Sequence, residues 1–416
     1  MPRYSAPFRL SSHGSTRATA YNMTNKVARL GNLTHVTWLD AVAEVKTRTY
    51  DHQRAAWGDT VRLGTGCDNH SNPALSADAQ GVLHLAYGPH GYWGNWNSSC
   101  VKHVVGLAPN NSATWHREAN FGYQATYSSM VSTPAGMDAL VYRGGEHPPM
   151  LFFQRQREKG GWEQAIPLLC QEIAPQYTHY GATITCDARG VIYVGGHFYN
   201  LHATKRSTGA AILRSADLGR TWTNLAGEII RTPSPLTPQI SAPSLAHPAN
   251  DVRLAGMTVG PDGTFWVVTH SAVSFSTEGC FAWLSKWTAK GWETIDLAPF
   301  LPPGHHPHAG PVVVDDSGHI HLAIEQLPVT ATGKRWGHPE TAIYHLYSRD
   351  NGRTFSYTRL SPPQDTLANW HPSISQRHPF LPVAHPVILW TRGEPGEGCS
   401  PLTETEVFCS FIEDMT

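Results

Sequence analysis

Short segments of alternating apolar and polar residues recur along the whole chain, and most of them begin directly after a glycine. A period of two residues is typical of a half-buried β-strand, and a preceding glycine is typical of a tight turn. Successive glycines of this kind are separated by 50, 55, 54, 73 and 55 residues. The seven segments begin at Gly31, Gly81, Gly136, Gly190, Gly263, Gly318 and, less regularly, His385. Each segment marks one unit, numbered one to seven, which also includes the strand before the segment and the strands that follow it.

The period of the units predicts the fold class. A repeat of this length suits one four-stranded blade of a β-propeller with its loops. The sequence therefore predicts an all-β protein, a seven-bladed β-propeller with four-stranded antiparallel blades, in a single domain that spans residues 1–416. A strand from Tyr4 to Leu10 is expected to complete the last blade, which would close the ring and cover both sheet edges.

Two predicted turns share a pattern of polar residues. Ser215–Trp222 and Ser348–Phe355 both fit S-x-D-x-G-x-[TS]-[WF], the Asp-box of sialidase-like propellers. In such a turn the serine and aspartate side chains bond backbone amides, and the glycine takes the left-handed conformation. We expect the motif on outer turns, where it stabilises a blade and carries no chemistry.

Unit two shows where a functional site is expected. Residues 73–77 and 82–87 read as two strands, and 78–81 read as the turn between them, so His70 and His90 lie at the same end of a hairpin. The equivalent strand ends of a propeller converge around its central channel, and we call this end of the units the rim. The alternative that these are ordinary hydrogen-bonded surface histidines remains open. The candidate residues at the rim are Asn69, His70, His90, Tyr127, Arg143, His179, Tyr180, His197, Arg253, His270, His308 and Glu325.

Composition narrows the function classes. The formal net charge is −1 over 416 residues, so the composition lacks the excess of basic residues that is typical of nucleic-acid-binding proteins. It contains no apolar run long enough to cross a membrane, and its first residues lack the apolar core of a signal peptide. Seven cysteines without a C-x-x-C pair argue against a disulfide framework, although Cys399 and Cys409 are expected to bridge a final hairpin if the protein is exported.

The residue types at the rim favour one reaction class. Imidazoles, a phenol and guanidinium groups suit an anionic ligand, and they supply the base, the acid and the carboxylate-binding cation that β-elimination of a uronate needs. Glycoside hydrolysis usually needs two carboxylates, and the rim offers one clear candidate, Glu325. A sialidase would need three arginines, for which Arg143, Arg253 and Arg392 are the available set.

The stretch Asn69-His70, Pro73-Ala74, Gly81, His84, Tyr87-Gly88 and His90 resembles the signature of the propeller polysaccharide lyases, the ulvan lyases and the related rhamnose–glucuronate lyases. In that family two histidines about 20 residues apart are followed by a tyrosine and, 16 residues later, an arginine. His70 and His90 are 20 apart here, and Tyr127 and Arg143 are 16 apart. The resemblance implies that His70 and Tyr127 form the acid/base pair, while Arg143 and His90 bind the uronate carboxylate. The segment between His90 and Tyr127 is shorter than in ulvan lyases, which leaves the polymer open.

Further expectations follow from this resemblance. The remaining rim residues are expected to bind substrate, an anionic polysaccharide or oligosaccharide. The chemistry needs no cofactor, and a structural zinc or calcium ion is expected at His270, Cys280 and His308. A polymeric substrate implies a secreted or periplasmic protein, and we expect a monomer with no nucleic-acid or membrane partner. A sialidase-type glycoside hydrolase and a non-catalytic carbohydrate-binding propeller are the alternative functions.

Overall fold

The computed structural model describes residues 2–88, 90, 100–122, 125–145, 150–158, 161–171, 178–200, 207–245, 251–273, 276–308, 310–363, 366–396 and 403–413. The side chains at positions 117, 118, 178–180, 200 and 208 are outside this description. Nearly all regular structure in the described part is β-strand, and the helical part consists of two 3-10 turns, Ala41–Ala43 and Ala298–Phe300.

Thirty strands follow one another along the described chain. The first ten are β1 (Arg3–Tyr4), β2 (Phe8–Ser15), β3 (Val27–Leu30), β4 (Leu33–Asp40), β5 (Glu44–Asp51), β6 (Ala56–Trp57), β7 (Val61–Thr65), β8 (Ala74–Ala77), β9 (Leu83–Tyr87) and β10 (Val101–Gly106). The next ten are β11 (Trp115–Phe121), β12 (Thr126–Ser132), β13 (Asp138–Gly144), β14 (Met150–Arg155), β15 (Ile166–Leu169), β16 (Thr178–Cys186), β17 (Ile192–Asn200), β18 (Ser207–Ser215), β19 (Asp251–Val259) and β20 (Phe265–Ala272). The last ten are β21 (Phe281–Thr288), β22 (Gly291–Asp296), β23 (His305–Pro307), β24 (Val312–Val314), β25 (Ile320–Pro328), β26 (Ala342–Ser348), β27 (Ser356–Arg359), β28 (Ala368–Ile374), β29 (Val387–Gly393) and β30 (Glu404–Glu413).

These strands form five sheets among the described residues. Two are four-stranded, β8–β11 and β12–β15, and the other three have ten (β1–β7 with β28–β30), seven (β16–β22) and five (β23–β27) strands. The ladders between these strands are antiparallel except for one parallel pair, Thr208 with Val252, which links β18 to β19, and one further isolated parallel bridge joins Leu169 to Ser234. The chain is thus an all-β protein with several antiparallel sheets.

The repeat that was read from the sequence corresponds to observed strands. Each of the seven predicted segments forms one strand, namely β4, β9, β13, β17, β20, β25 and β29. The glycine of unit two shows why that residue type is needed, because Gly81 has a φ of 76°, which other residues rarely adopt. Its amide donates to the carbonyl of Asp78, and this closes the turn between β8 and β9. The predicted hairpin of unit two is therefore confirmed.

Both Asp-box turns have the predicted hydrogen bonds. In the first turn, Ser215 Oγ accepts from the Gly219 amide at 2.7 Å, and Asp217 Oδ1 accepts from the Thr221 amide at 2.9 Å. The following Trp222 is buried and packs edge-on against Phe153 at 5.1 Å. The second turn repeats this geometry around Ser348 and Asp350.

The core lies between neighbouring units. Apolar residues of β12 and β13 pack against those of β16–β18, and Val141 and Ile184, both fully buried, belong to that cluster. A second cluster joins unit two to unit three through Ala86 and Leu140. A sheet that is apolar on both faces buries each face against a neighbouring sheet.

The two ends of the described chain meet in one sheet. β2 pairs with β30 in antiparallel fashion, with Phe8 opposite Cys409, so the predicted pairing of an early strand with the last unit is confirmed. The observed strand begins at Phe8 and ends at Ser15, some residues later than predicted. Cys409 is a buried free thiol, and Cys399 lies outside the described residues. Within the described part, no helix has the length and apolar character that crossing a membrane requires.

Candidate active site

The hairpin of unit two brings its two histidines together, as the sequence predicts. The rings of His70 and His90 stack at 4.1 Å between centroids, with 18° between their planes. Both side chains are buried, at 7% and 8% exposure. Burial without a counter-charge disfavours the protonated form of an imidazole. The orientation of the two rings depends on the group to which they are hydrogen-bonded.

That partner is Asp68, which sequence reasoning did not assign to the site. Its Oδ1 lies 3.1 Å from His70 Nδ1 and its Oδ2 lies 2.8 Å from His90 Nδ1. Asp68 Oδ1 also accepts from the backbone amide of His70 at 2.8 Å, which fixes the carboxylate. The only sign of this in the sequence is the short spacing between Asp68 and His70.

The charges of this trio follow from burial and hydrogen bonding. Burial is the main reason that the pKa of His70 and the pKa of His90 lie below the ordinary value. Burial alone would raise the pKa of Asp68, but its bonds to the two imidazoles hold that pKa below the ordinary value. Near neutral pH, two neutral imidazoles therefore donate Nδ1–H to one carboxylate, which leaves both Nε2 atoms with lone pairs.

Tyr127 and Arg143 lie beside these imidazoles. The Tyr127 ring is 6.1 Å from the His70 ring and 5.7 Å from the His90 ring, and the Arg143 guanidinium lies 5.0 Å from the Tyr127 ring centre. Arg143 faces Thr126, the neighbour of Tyr127, across the β12–β13 ladder. The structure thus gathers the predicted catalytic residues of units two and three.

The backbone at Tyr127 is unusual for its residue type. Its φ is 54°, in the left-handed region, and the β12–β13 ladder shifts register between Thr126 and Ser129. A bulge of this kind re-aims a side chain, at a cost of about 1–3 kcal/mol for a residue other than glycine. The Tyr127 ring is placed by this distortion, which a sequence pattern does not show.

Two further residues, Arg17 and Tyr21, enter the site from the loop between β2 and β3. The Tyr21 ring packs edge-on against Tyr127 at 4.8 Å, and Arg17 Nη1 donates to the Tyr21 hydroxyl at 2.9 Å. The Arg17 guanidinium lies 4.6 Å from the centre of the Trp336 ring. Neither residue occupies a repeat position, so the repeat gave no signal for them.

Glu325 centres a second group of rim residues. Its Oε2 lies 2.6 Å from His308 Nδ1, and its Oε1 accepts from the backbone amide of His371 at 2.5 Å. The His308 ring in turn meets the His270 ring edge-on at 5.0 Å. Burial raises the pKa of Glu325 and lowers the pKa of His371 to about 3. Trp336 lies 4.7 Å from His371 and connects this group to Arg17.

The remaining predicted rim residues differ in what surrounds them. Arg253 pairs in register with His270 and lies 4.9 Å from the Tyr199 ring. The His197 ring packs directly against Gly181, because a Cβ added at Gly181 would stand 2.2 Å from that ring. Burial lowers the pKa of His197 to about 3. Asn69 Nδ2 donates to Thr16 Oγ1 at 2.8 Å. The backbones of His179 and Tyr180 belong to β16, and their side chains lie outside the described residues.

The residues predicted to hold a metal are only partly brought together. His270 and His308 are in contact, but Cys280 Sγ lies 3.9 Å from the carbonyl of Ser276, and burial raises the pKa of its thiol. Among the described side chains, two other groups place three ligand atoms within 4.8 Å of one another. One is Asp68 with His70 and His90, and the second is His84 with His103 and Asp138. A metal at His270, Cys280 and His308 stays a prediction.

Comparison with solved structures identifies the fold class. An ulvan lyase described as a new family of polysaccharide lyase matches with a TM-score of 0.75, at 14% identity over 98% of this chain and 95% of that chain. The same lyase bound to -[GlcA(1-4)Rha3S]- gives equal values. The polysaccharide lyase Uly1 matches with a TM-score of 0.65, at 13% identity over 99% of both chains. The chain therefore shares the all-β fold of these lyases.

Sequence comparison identifies the family. The profile described as "BNR repeat-containing family member" matches residues 33–300, and the chain belongs to that family. Curated relatives include the ulvan lyase of Nonlabens ulvanivorans, 25% identical over 147 residues, and the ulvan lyase of Alteromonas sp. (strain LOR), 25% identical over 146 residues. These matches cover 31% of this chain and 31% and 30% of the two relatives, so the chain matches less than a third of their length.

Proposed function

We propose that this protein is a polysaccharide lyase that cleaves a glucuronate-containing polysaccharide by β-elimination. One observation carries the proposal, the pair of buried imidazoles that Asp68 orients beside Tyr127 and Arg143. This arrangement offers proton acceptors, a proton donor and a cation within one buried group. The ulvan lyases with the same fold support the substrate class, a rhamnose-linked uronate polymer such as ulvan or a rhamnosyl-glucuronate arabinogalactan.

The reaction begins at the uronate carboxylate. Arg143 binds the C6 carboxylate and stabilises the negative charge that develops on it, and this acidifies the proton on C5. His90 takes part in this binding in the form that carries a proton on Nε2 and can donate a hydrogen bond. A base removes that proton, the electrons form a C4–C5 double bond, and the C4–O4 bond breaks. An acid then protonates the leaving O4. His70 and Tyr127 divide these two proton transfers between them, without a metal ion.

The burial of the site suits this chemistry. A neutral imidazole whose Nδ1–H is bonded to a carboxylate presents Nε2 as a base in a fixed direction, the arrangement that orients the histidine of hydrolytic triads. Arg143 is 2% exposed, and a charge in so dry a place acts strongly on a bound carboxylate. Binding of the uronate replaces water around both groups.

The carboxylates of the site do not favour hydrolysis of a glycoside. Asp68 bonds two imidazoles through its two oxygens, and Glu325 bonds His308 and the amide of His371 through its own. Neither group is arranged as an acid or nucleophile at a glycosidic bond. Arg392, the third arginine of the sialidase alternative, forms an ion pair with Glu406.

We infer that the strands form seven four-stranded blades in one domain. The described residues form seven strand groups, and the sheets of ten and seven strands join such groups through single residue pairs, Gly14 with Asp40 and Thr208 with Val252. A single cooperative unfolding transition in calorimetry would support one domain, and two separate transitions would contradict it. A polymeric substrate supports a secreted or periplasmic location, and we expect a monomer.

The test is ultraviolet absorbance of the unsaturated uronate product, with ulvan and rhamnosyl-glucuronate arabinogalactan as substrates. We expect a rise with the wild-type protein, and Tyr127→Phe and His70→Ala should each reduce turnover about 10²- to 10⁴-fold, the usual effect of losing a positioned acid or base. Tyr347→Phe is the matched control, because Tyr347 also lies beside a histidine pair and 5.6 Å from an arginine. No rise with any uronate polymer, or near-normal turnover of either site variant, would overturn the proposal.

A further inference from the structure

A second buried group of ionisable side chains lies away from the rim, where unit two meets unit three. His84 belongs to β9, His103 to the neighbouring β10, and Asp138 is the first residue of β13. Their side chains are 10%, 0% and 2% exposed. The proposed elimination uses none of them, so their burial needs a separate explanation.

Three donor atoms of this group converge on one point. His84 Nδ1 lies 2.7 Å from Asp138 Oδ2 and 3.3 Å from His103 Nε2, and the third separation, from His103 Nε2 to Asp138 Oδ2, is 3.6 Å. Ligand atoms of a tetrahedral zinc ion are about 3.3 Å apart when the bonds are about 2.0–2.1 Å long. The three separations bracket that value.

The carboxylate of Asp138 is aimed at this point without a hydrogen bond there. Its Oδ2 is buried, lies 2.7 Å from His84 Nδ1 and has no hydrogen bond of standard geometry. Ser132 Oγ donates to the other oxygen, Oδ1, at 2.6 Å and so fixes the carboxylate. A buried carboxylate oxygen without a hydrogen bond is costly unless a cation is present.

The far side of His84 also has the support that metal-bound histidines have. Its Nε2 lies 3.4 Å from Asp78 Oδ2, and Asp78 Oδ1 accepts from two backbone amides of the β8–β9 turn. A carboxylate behind the imidazole sets the tautomer and ring orientation of a metal ligand.

Unit six provides an internal comparison. Asp315, His321 and His345 repeat the series Asp78, His84 and His103, with His321 Nε2 3.2 Å from Asp315 Oδ2 and His321 Nδ1 3.1 Å from His345 Nε2. The ring pairs also match, at 17° and 5.2 Å in unit six and 19° and 5.4 Å in unit two. In unit six the described residues place no third ligand atom at the junction of the rings. The aspartate–histidine pairs are thus a repeated packing feature, and Asp138 is what unit two adds.

We propose that His84 Nδ1, His103 Nε2 and Asp138 Oδ2 bind a divalent transition-metal ion, with zinc as the best fit. Two imidazoles and one carboxylate are donors that zinc accepts, and water takes the fourth position in such three-ligand sites. The ion joins β9 and β10 to β13. Because β13 also carries Arg143, the ion would stabilise the contact between the units that supply the catalytic residues.

A proton is the competing occupant of this site. Burial alone would lower the pKa of His84, but Asp138 and Asp78 outweigh burial and raise that pKa to about 9. A protonated His84 would neutralise part of the negative charge of Asp138 and Asp78, so the metal content of the protein has to be measured directly.

The test is the zinc content of the full chain after incubation with zinc and dialysis, measured by plasma mass spectrometry. We expect His103→Gln and Asp138→Asn each to lose one equivalent that the wild type retains, and Asp78→Asn to bind that equivalent about 10- to 100-fold more weakly. His345→Gln, the matched substitution in unit six, should retain it, and so should Cys280→Ser, which reports on the separately predicted ion. Equal zinc content in the wild type, His103→Gln and Asp138→Asn would overturn the proposal.

Cobalt(II) provides a second measurement that needs no variant to fold. Cobalt-loaded wild-type protein should show the visible absorption of a four-coordinate ion with nitrogen and oxygen ligands. Wild-type protein that binds neither zinc nor cobalt at micromolar concentration would contradict the site. Neither readout depends on lyase activity, so failure of the proposed function would leave this test intact.

Discussion

Replacing Asp68 with asparagine tests whether the site works through oriented neutral imidazoles. The amide oxygen can still accept from the His70 amide at the position of Oδ1, but the NH₂ group then faces His90 Nδ1 at the position of Oδ2. Two donors cannot share that contact, so His90 must take the tautomer with its proton on Nε2. Asp68→Asn therefore changes the protonation pattern with almost no change in shape.

The size of the effect follows from these contacts. Asp68 makes two bonds to imidazole nitrogens, at 3.1 and 2.8 Å, and bonds to a charged group contribute about 1.5–3 kcal/mol each. We expect turnover to fall about 10²- to 10⁴-fold, which corresponds to about 3–5.5 kcal/mol in the activation free energy. The charge of Asp68 and its hydrogen bonds raise the pKa of His70 and the pKa of His90, so removal of that charge should lower both.

The assay is the rise in ultraviolet absorbance as a function of pH. The acidic limb of kcat/KM reports protonation of the base in the free enzyme, so in Asp68→Asn it should move to lower pH as turnover falls. Asp315→Asn is the matched control, because Asp315 also accepts from two histidines, at 3.1 and 3.2 Å, in unit six. If Asp68→Asn and Asp315→Asn have equal turnover, or if the acidic limb stays in place, the assignment of Asp68 is refuted.

Two further predictions use pKa shifts elsewhere in the protein. Arg17 is, after burial, the main cause of the lowered pKa of His70, so Arg17→Gln should move the acidic limb of activity to higher pH, and an unmoved limb would count against this coupling. Burial lowers the pKa of His378 to about 4, so between about pH 6.5 and 4 the unfolded chain binds a proton that the folded protein does not, and stability falls as the pH falls. His378→Gln should remove about 2 kcal/mol of the stability lost between pH 7 and pH 5, measured by urea unfolding, and equal losses in the two proteins would contradict this.

Much of the fold was predictable because it depends on periodic features. Turn glycines and alternating strands recur in sequence, and all seven predicted segments are strands. His70, His90, Tyr127 and Arg143 could be proposed for the same reason, since each lies at an equivalent end of a repeated strand. Arg17 and Tyr21 could not be found in this way, because they lie in a loop without a repeat position.

Backbone strain is the part of the site that no residue pattern shows. Within the described strands, Tyr127 and His371 are the two residues other than glycine with φ in the left-handed region, at 54° and 53°. Each coincides with a register shift in the ladder between the first two strands of its unit, and each side chain lies in the site. Such conformations persist only where the surroundings fix them, and the two lie in different units. These two site residues therefore lie where the strand register is irregular. The regular sequence pattern could indicate the rim but not the orientation of these two side chains.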